Sequence, residues 1–322
     1  MTETAVPTVP SAEGPRRVAV LGGTGFIGRA LCEALAEGGL PVLAIARREP
    51  TVPVAGSFRA FDLVGGSPAE LAALFAAEGV GTVVNAAGGM WGLDDEQMVD
   101  ANVGMVQRVI EALALLPERV RLVQLGSVHE YGLTPVGTVQ AESDETHPQM
   151  VYGELKVRAT RLVLDAVEAG GLDGVVLRVG NVVGAGQPGH SLLGVIARKL
   201  AEAAEESRTA ELTLAPLAAK RDFVGLGDTV AAVLAAVRAR TLPPVVNVGR
   251  GEGVSARHMV ELLIEVSGVP TEVLENTAPE GPGAETEWQC LDVALAARAL
   301  GWEPHQSLAG AVDSLWKAEY RG

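Results

Sequence analysis

Apolar residues in the first half of the chain fall into short, nearly continuous runs separated by longer amphipathic stretches. The runs 18–21, 42–46, 57–61, 82–86, 121–125 and 174–178 have strand length. Between them, 29–37, 68–78, 95–115 and 152–168 repeat apolar residues at helical spacing. Strands and helices alternating in this way predict an α/β fold with a parallel, doubly wound sheet. Strands that are apolar on both faces are those covered by helices on both sides. The stretch 152–168 carries Leu155, Ala159, Leu162 and Ala166 on one stripe, with Val163, Leu164 and Val167 beyond it. Such a helix is covered on two sides, either within the chain or by a second copy in a homodimer. Past Gly180 the alternation loosens: 184–194 is glycine-rich, 211–216 reads as extended, and 192–205, 228–239, 255–267, 292–300 and 308–319 read as helical.

Composition narrows the class. The chain has 322 residues, enough for one large domain or two. It is 48% hydrophobic, yet no stretch approaches the ~18 uninterrupted apolar residues of a membrane span, so a soluble globular protein is expected. Residues 1–15 are acidic and proline-containing, without a basic and apolar leader pattern, and read as a disordered tail. A net charge of -15 argues against nucleic acid or an anionic membrane as partner. With only Cys32 and Cys290, neither a disulfide framework nor a thiolate metal site is indicated, which suits a reducing cytoplasm. The five histidines show no ligand spacing, so no metal is expected.

The first chemical signal is Gly22-Gly23-Thr24-Gly25-Phe26-Ile27-Gly28, directly after the first apolar run and before a helical stretch. Such a turn lets backbone approach a pyrophosphate and aims helix-start N–H groups at it. It predicts a dinucleotide-binding Rossmann domain over 16–179, with 180–322 mainly a smaller mixed substrate-binding part, some segments of which return to the first sheet. Tyr152 and Lys156, four apart, share a helix face. An ammonium near a phenol favours the phenolate and makes the phenol a usable acid/base; by itself, Tyr-x-x-x-Lys also arises by chance on helix surfaces. Ser127 follows the run 121–125, at the sheet edge where such folds bind ligands. It suits a hydroxyl donor to a carbonyl oxygen, or equally a turn serine bonded to local backbone. After the second run stand Arg47 and Arg48, where an NAD-binding unit places a carboxylate on the ribose. Two guanidiniums favour the 2′-phosphate of NADP; a pair of exposed arginines is the plainer alternative.

These signals, with Asp62-Leu63, Asn85-Ala86-Ala87, Asn102-Val103, Tyr131-Gly132, Arg178…Asn181…Gly184 and Arg221-Asp222-Phe223-Val224, fall in one order. Together they resemble the extended short-chain dehydrogenase/reductase (NAD-dependent epimerase/dehydratase) family over nearly all of 17–316. The stretch 247–252, followed by Leu291-Asp292 and Leu300-Gly301-Trp302, is similar to the dTDP-4-keto-6-deoxyhexose 4-ketoreductases, which make deoxysugars for bacterial natural products such as antibiotics. The resemblance implies a catalytic set of Ser127, Tyr152 and Lys156, in which Tyr152 supplies the proton, Ser127 holds the carbonyl oxygen and Lys156 binds the nicotinamide ribose. It implies cofactor contacts from Gly22, Thr24, Gly25, Phe26, Ile27, Gly28, Arg47, Arg48, Asp62, Leu63, Ala86, Ala87 and Asn102. Substrate contacts are implied for Trp91, Val128, His129, Asn181 and Arg221 beside the catalytic set, with Arg221 on the diphosphate. Asp62 also reads as a strand-end cap, Asn181 as a loop residue and Arg221 as a solvated cation.

Two departures bear on the reaction. Relatives carry a second diphosphate-gripping arginine near 279–285, where this chain has no cation. Dehydratases place Asp-Glu after the catalytic hydroxyl; here Val128 and His129 stand there, which disfavours elimination. The expectation is an NADPH-dependent reductase of a dTDP-4-keto-6-deoxyhexose. The alternatives are a 4-epimerase retaining NAD, a ketoreductase of a non-nucleotide carbonyl, and a non-catalytic NADP-sensing protein.

Overall fold

A computed structural model describes residues 16–89, 92–276 and 287–321; the expectations for 1–15, for Trp91 and for 279–285 lie outside them. The first half alternates as the hydrophobic pattern requires: β1 (Arg17–Leu21), α1 (Phe26–Glu37), β2 (Val42–Ala46), β3 (Ser57–Ala60), α2 (Pro68–Ala77), β4 (Val80–Asn85), α3 (Asp95–Val99), α4 (Met105–Ala114), β5 (Arg121–Ser127), α5 (Val151–Glu168) and β6 (Asp173–Val179). Then follow β7 (Asn181–Val183), α6 (Leu192–Glu205), β8 (Ala210–Leu214), β9 (Lys220–Gly225), α7 (Leu226–Arg238), β10 (Val245–Val248), β11 (Gly253–Ser255), α8 (Ala256–Ser267), β12 (Thr271–Glu275), α9 (Ala294–Leu300) and α10 (Leu308–Arg321).

The main sheet has seven parallel strands in the order β3-β2-β1-β4-β5-β6-β10. Alternate side chains feed two cores. Val18, Val20, Val84, Val123 and Leu177 pack on one face with Leu31 of α1 and Val233 of α7. Ala19, Leu21, Val83, Leu122 and Val176 pack on the other with Phe75 of α2, Val109 of α4 and Val163 of α5. Burial on both faces explains why these strands read as continuous apolar runs. A third core joins Ile196, Leu200, Leu212, Met259, Leu263 and Trp316 among α6, α8, α10 and β8. Two small sheets complete the topology, β7-β9-β11 and β8-β12.

Two departures from the pattern bear on the main sheet and the loops at its edge. The stretch 95–115 is not one α-helix, because Asp100–Gly104 forms a π turn between α3 and α4. The Asn102 side chain explains it: Nδ2 donates to the Met98 carbonyl (2.9 Å), the acceptor an α-helix would give to the Asn102 N–H. Nδ2 also donates to the Gly89 carbonyl (2.7 Å), tying the wide turn to the loop after β4. The second departure is β10, which pairs with β6 from residues that gave no strand signal.

Candidate active site

The carboxyl ends of β1, β4 and β5 line one edge of the sheet, and the candidate residues gather there. At the end of β1, Gly22 has φ +72, and a Cβ on it would lie 2.9 Å from the Cα of Ala87. The glycine turn therefore touches the Ala86–Ala87 backbone beyond β4. A Cβ on Gly28 would sit 2.0 Å from the Gly22 carbonyl oxygen, so only glycine lets α1 start this close to the turn. Gly25 is the N-cap and supplies no side-chain acceptor, which leaves the first-turn N–H groups, beside Thr24, Phe26 and Ile27, open to an anion. The helix begins at Phe26 rather than at residue 29, so this positive end belongs to the motif itself.

Arg47 and Arg48 are exposed just past β2, with no ion pair among the described residues. Asp62 is exposed and its Oδ1 accepts the Val64 N–H (3.0 Å), the turn-capping arrangement; Leu63 is buried in the core below. Under Gly88, Asn102 and Lys156 meet: a Cβ there would lie 3.1 Å from Asn102 Oδ1 and 3.8 Å from Lys156 Nζ. Asn102 Oδ1 is buried without a hydrogen-bond partner.

Ser127 closes β5, and its Oγ accepts the His129 N–H (3.2 Å) as the chain turns. Lys156, buried on α5, donates to the Leu125 carbonyl (3.0 Å). The Tyr152 ring lies between the Lys156 ammonium, 5.7 Å from its centroid, and the His129 ring, 6.0 Å away and edge-on. Burial and the nearby Arg221 cation push the His129 imidazole down to about 4, against the opposing charge of Glu287, so it is neutral at pH 7. Val128 is buried, packed with Tyr131 and Leu291.

Beneath this set lies a carboxylate that sequence patterns did not reveal. Glu130 is fully buried; its Oε1 accepts the Ser127 N–H (2.8 Å) and its Oε2 accepts from Thr160 of α5 and Arg178 of β6 (both 2.9 Å). The Arg178 guanidinium lies 4.4 Å over the Tyr131 ring, and the Tyr131 hydroxyl donates to Asn247 of β10 (2.8 Å). On the far side, Asn181 donates to the Asp222 carbonyl (3.1 Å). The buried Asp222 carboxylate accepts the N–H groups of Arg250, Gly251 and Leu291 (2.7, 3.0 and 3.1 Å). Burial nonetheless raises it to about 6. Arg221, on β9, is ion-paired with Glu287 rather than solvated.

A family model, "NAD dependent epimerase/dehydratase family", matches residues 18–249. The chain belongs to this family. This epimerase/dehydratase-family protein is 60% identical over 305 residues to a dTDP-6-deoxy-L-talose 4-dehydrogenase (NAD(P)(+)) of Kitasatospora kifunensis, covering 95% of this chain and 96% of that one. Among solved structures, MoeE5 in complex with UDP-glucuronic acid and NAD has a TM-score of 0.79 at 27% identity, covering 95% of this chain and 99% of that one. The RMD protein of Pseudomonas aeruginosa complexed with NADPH has a TM-score of 0.81 at 22% identity, with 95% and 98% covered. The α/β architecture is thus that of the family's Rossmann-like enzymes.

Proposed function

We propose that the chain is a nicotinamide-dependent oxidoreductase acting at C4 of a dTDP-6-deoxyhexose, running as an NADPH-dependent reductase of the 4-keto sugar. The observation that carries this reading is the convergence of Ser127, Tyr152 and Lys156 at the end of β5 in a chain so similar to a dTDP-6-deoxy-L-talose 4-dehydrogenase. A dinucleotide fits the residues present. The uncapped start of α1 suits its pyrophosphate, and the unpartnered Asn102 oxygen and the Lys156 ammonium, both close to Gly88, offer polar groups for its ribose. Exposed Arg47 and Arg48 support a 2′-phosphate, hence NADP, since guanidinium forks match phosphate oxygens.

When bound, the cofactor supplies hydride to the ketone carbon, or accepts it in the reverse direction. Tyr152 gives its phenolic proton to the carbonyl oxygen, so ketone, hydride and proton together make the alcohol. Ser127 donates a hydrogen bond to that oxygen as negative charge develops on it. Lys156 holds its ammonium beside the phenol, and neutral His129 packs against the ring. Arg221 binds the diphosphate.

The test is NADPH oxidation with a panel of dTDP-4-keto-6-deoxyhexoses and free ketones, with NADP+ reduction by dTDP-6-deoxytalose as the reverse assay. Turnover of dTDP-linked sugars with NADPH favoured over NADH, and that preference collapsing in Arg47→Asp/Arg48→Ala, is the expected result. Activity confined to free ketones, or a stronger native preference for NADH, sinks the corresponding part of the reading.

A further inference from the structure

Arg221 does not present an open guanidinium. Its Nη2 is held by Glu287, whose carboxylate is half exposed while the arginine side chain is mostly covered. Residues 287–289 pair with Lys220 at the start of β9. The Lys220 N–H donates to the Glu287 carbonyl (2.7 Å), and the Gln289 N–H donates to the Lys220 carbonyl (3.1 Å). Next in line, Trp288 lies flat on Gly253, where a Cβ would come within 2.5 Å of the indole, and its Nε1–H donates to the Thr138 carbonyl (2.7 Å). The backbone at Glu287 is therefore held by bonds that do not involve its half-exposed carboxylate.

We propose that Glu287 tunes the affinity of the substrate site: its carboxylate occupies the Arg221 guanidinium until a substrate diphosphate displaces it. The inference rests on the reading of Arg221 as the diphosphate ligand. Carboxylate and phosphate present similar oxygen pairs to one planar fork, so the two anions compete for the same donors. A diphosphate, with higher charge and more oxygens, wins this exchange; a neutral carbonyl compound gains nothing by attempting it. Glu287 is thus a reversible plug that a diphosphate can displace, at a cost to its own affinity. A half-exposed ion pair lowers apparent ligand affinity by about twofold to fivefold, not by orders of magnitude.

Calorimetric titration of dTDP into the full chain, as wild type, Glu287→Gln, Arg221→Ala and the double variant, tests this. About twofold to fivefold tighter binding by Glu287→Gln, with no such gain in the Arg221→Ala background, is expected. Unchanged or weaker binding by Glu287→Gln, while Arg221→Ala still loses affinity, overturns the plug and leaves the diphosphate reading standing. An equal gain in both backgrounds also overturns it, since any lost negative charge would then serve. If dTDP binds no form, the diphosphate reading and the plug fail together. Should Arg221→Ala not fold, Arg221→Lys, which keeps the charge but loses the fork, takes its place.

Discussion

Tyr152 owes its place to two neighbours from different elements, Lys156 one turn along its own helix and His129 from the turn after β5. Tyr152→Phe keeps the ring in place and deletes only the phenolic hydroxyl. The expected result is a loss of about 10²–10⁴ in kcat with the melting temperature nearly unchanged, read by NADPH oxidation and thermal unfolding. His129 bears on stability with acid. Its folded value, about 4, lies below the ordinary 6.5, so the unfolded chain takes up the proton first. The stabilisation is present above pH 6.5 and is lost as pH falls toward 4. Asp222, raised from 3.8 to about 6, has the opposite sign: its contribution is present below 3.8 and lost as pH rises through 6. Urea unfolding of wild type and His129→Phe from pH 7.5 to 4 isolates the histidine, because Asp222 is common to both. The variant is expected to lose less stability on acidification, and parallel curves would refute the assignment.

Among the elements, the β1–α1 turn is the most constrained. In Gly28→Ala the added methyl meets the Gly22 carbonyl oxygen, so α1 must shift away from the strand. Overpacking of this kind costs about 1–3 kcal/mol, and the shift also misplaces the anion-binding N–H groups. A lower melting temperature together with weakened NADPH binding, followed by fluorescence, is expected. This turn was legible in the sequence because its logic is local: strand, glycines and helix are consecutive. The pairing of Tyr152 with Lys156 was legible for the same reason. β10 was not, being four residues just after Pro243-Pro244 and specified by pairing with β6 rather than by its own length. β9 was hidden by Lys220, Arg221 and Asp222, which read as chemistry rather than strand. Glu130 and Glu287 escaped notice because their arginine partners lie 48 and 66 residues away, beyond any spacing rule.

On the scale of the whole molecule, one buried polar network crosses the main sheet and reaches the segments beyond it. Glu130 connects β5, α5 and β6, and Arg178 and Tyr131 pass the connection to Asn247 of β10. Asn247 in turn donates to the carbonyls of Gln140 and Asp292 (2.9 and 3.2 Å). Arg178→Met leaves the Glu130 carboxylate buried without its cation. Breaking a buried pair from one side costs about 3–5 kcal/mol, so a large loss in urea unfolding is expected. Adding Glu130→Gln, which keeps an acceptor for the Ser127 N–H while removing the stranded charge, recovers part of it. A single variant as stable as wild type would show that the network carries little.

The seventh strand also orders events in time. β10 is the neighbour of β6, yet the chain between Val179 and Val245 must be made before it exists. At a synthesis rate of about 5–20 residues per second, the nascent sheet spends several seconds with the β6 border open. That border is Gly174–Val179, apolar except for Arg178 and buried in the finished protein. An unpaired apolar strand is a template for joining another chain. The newborn molecule is therefore most prone to aggregate in the interval before its own residues 245–248 emerge to close the row.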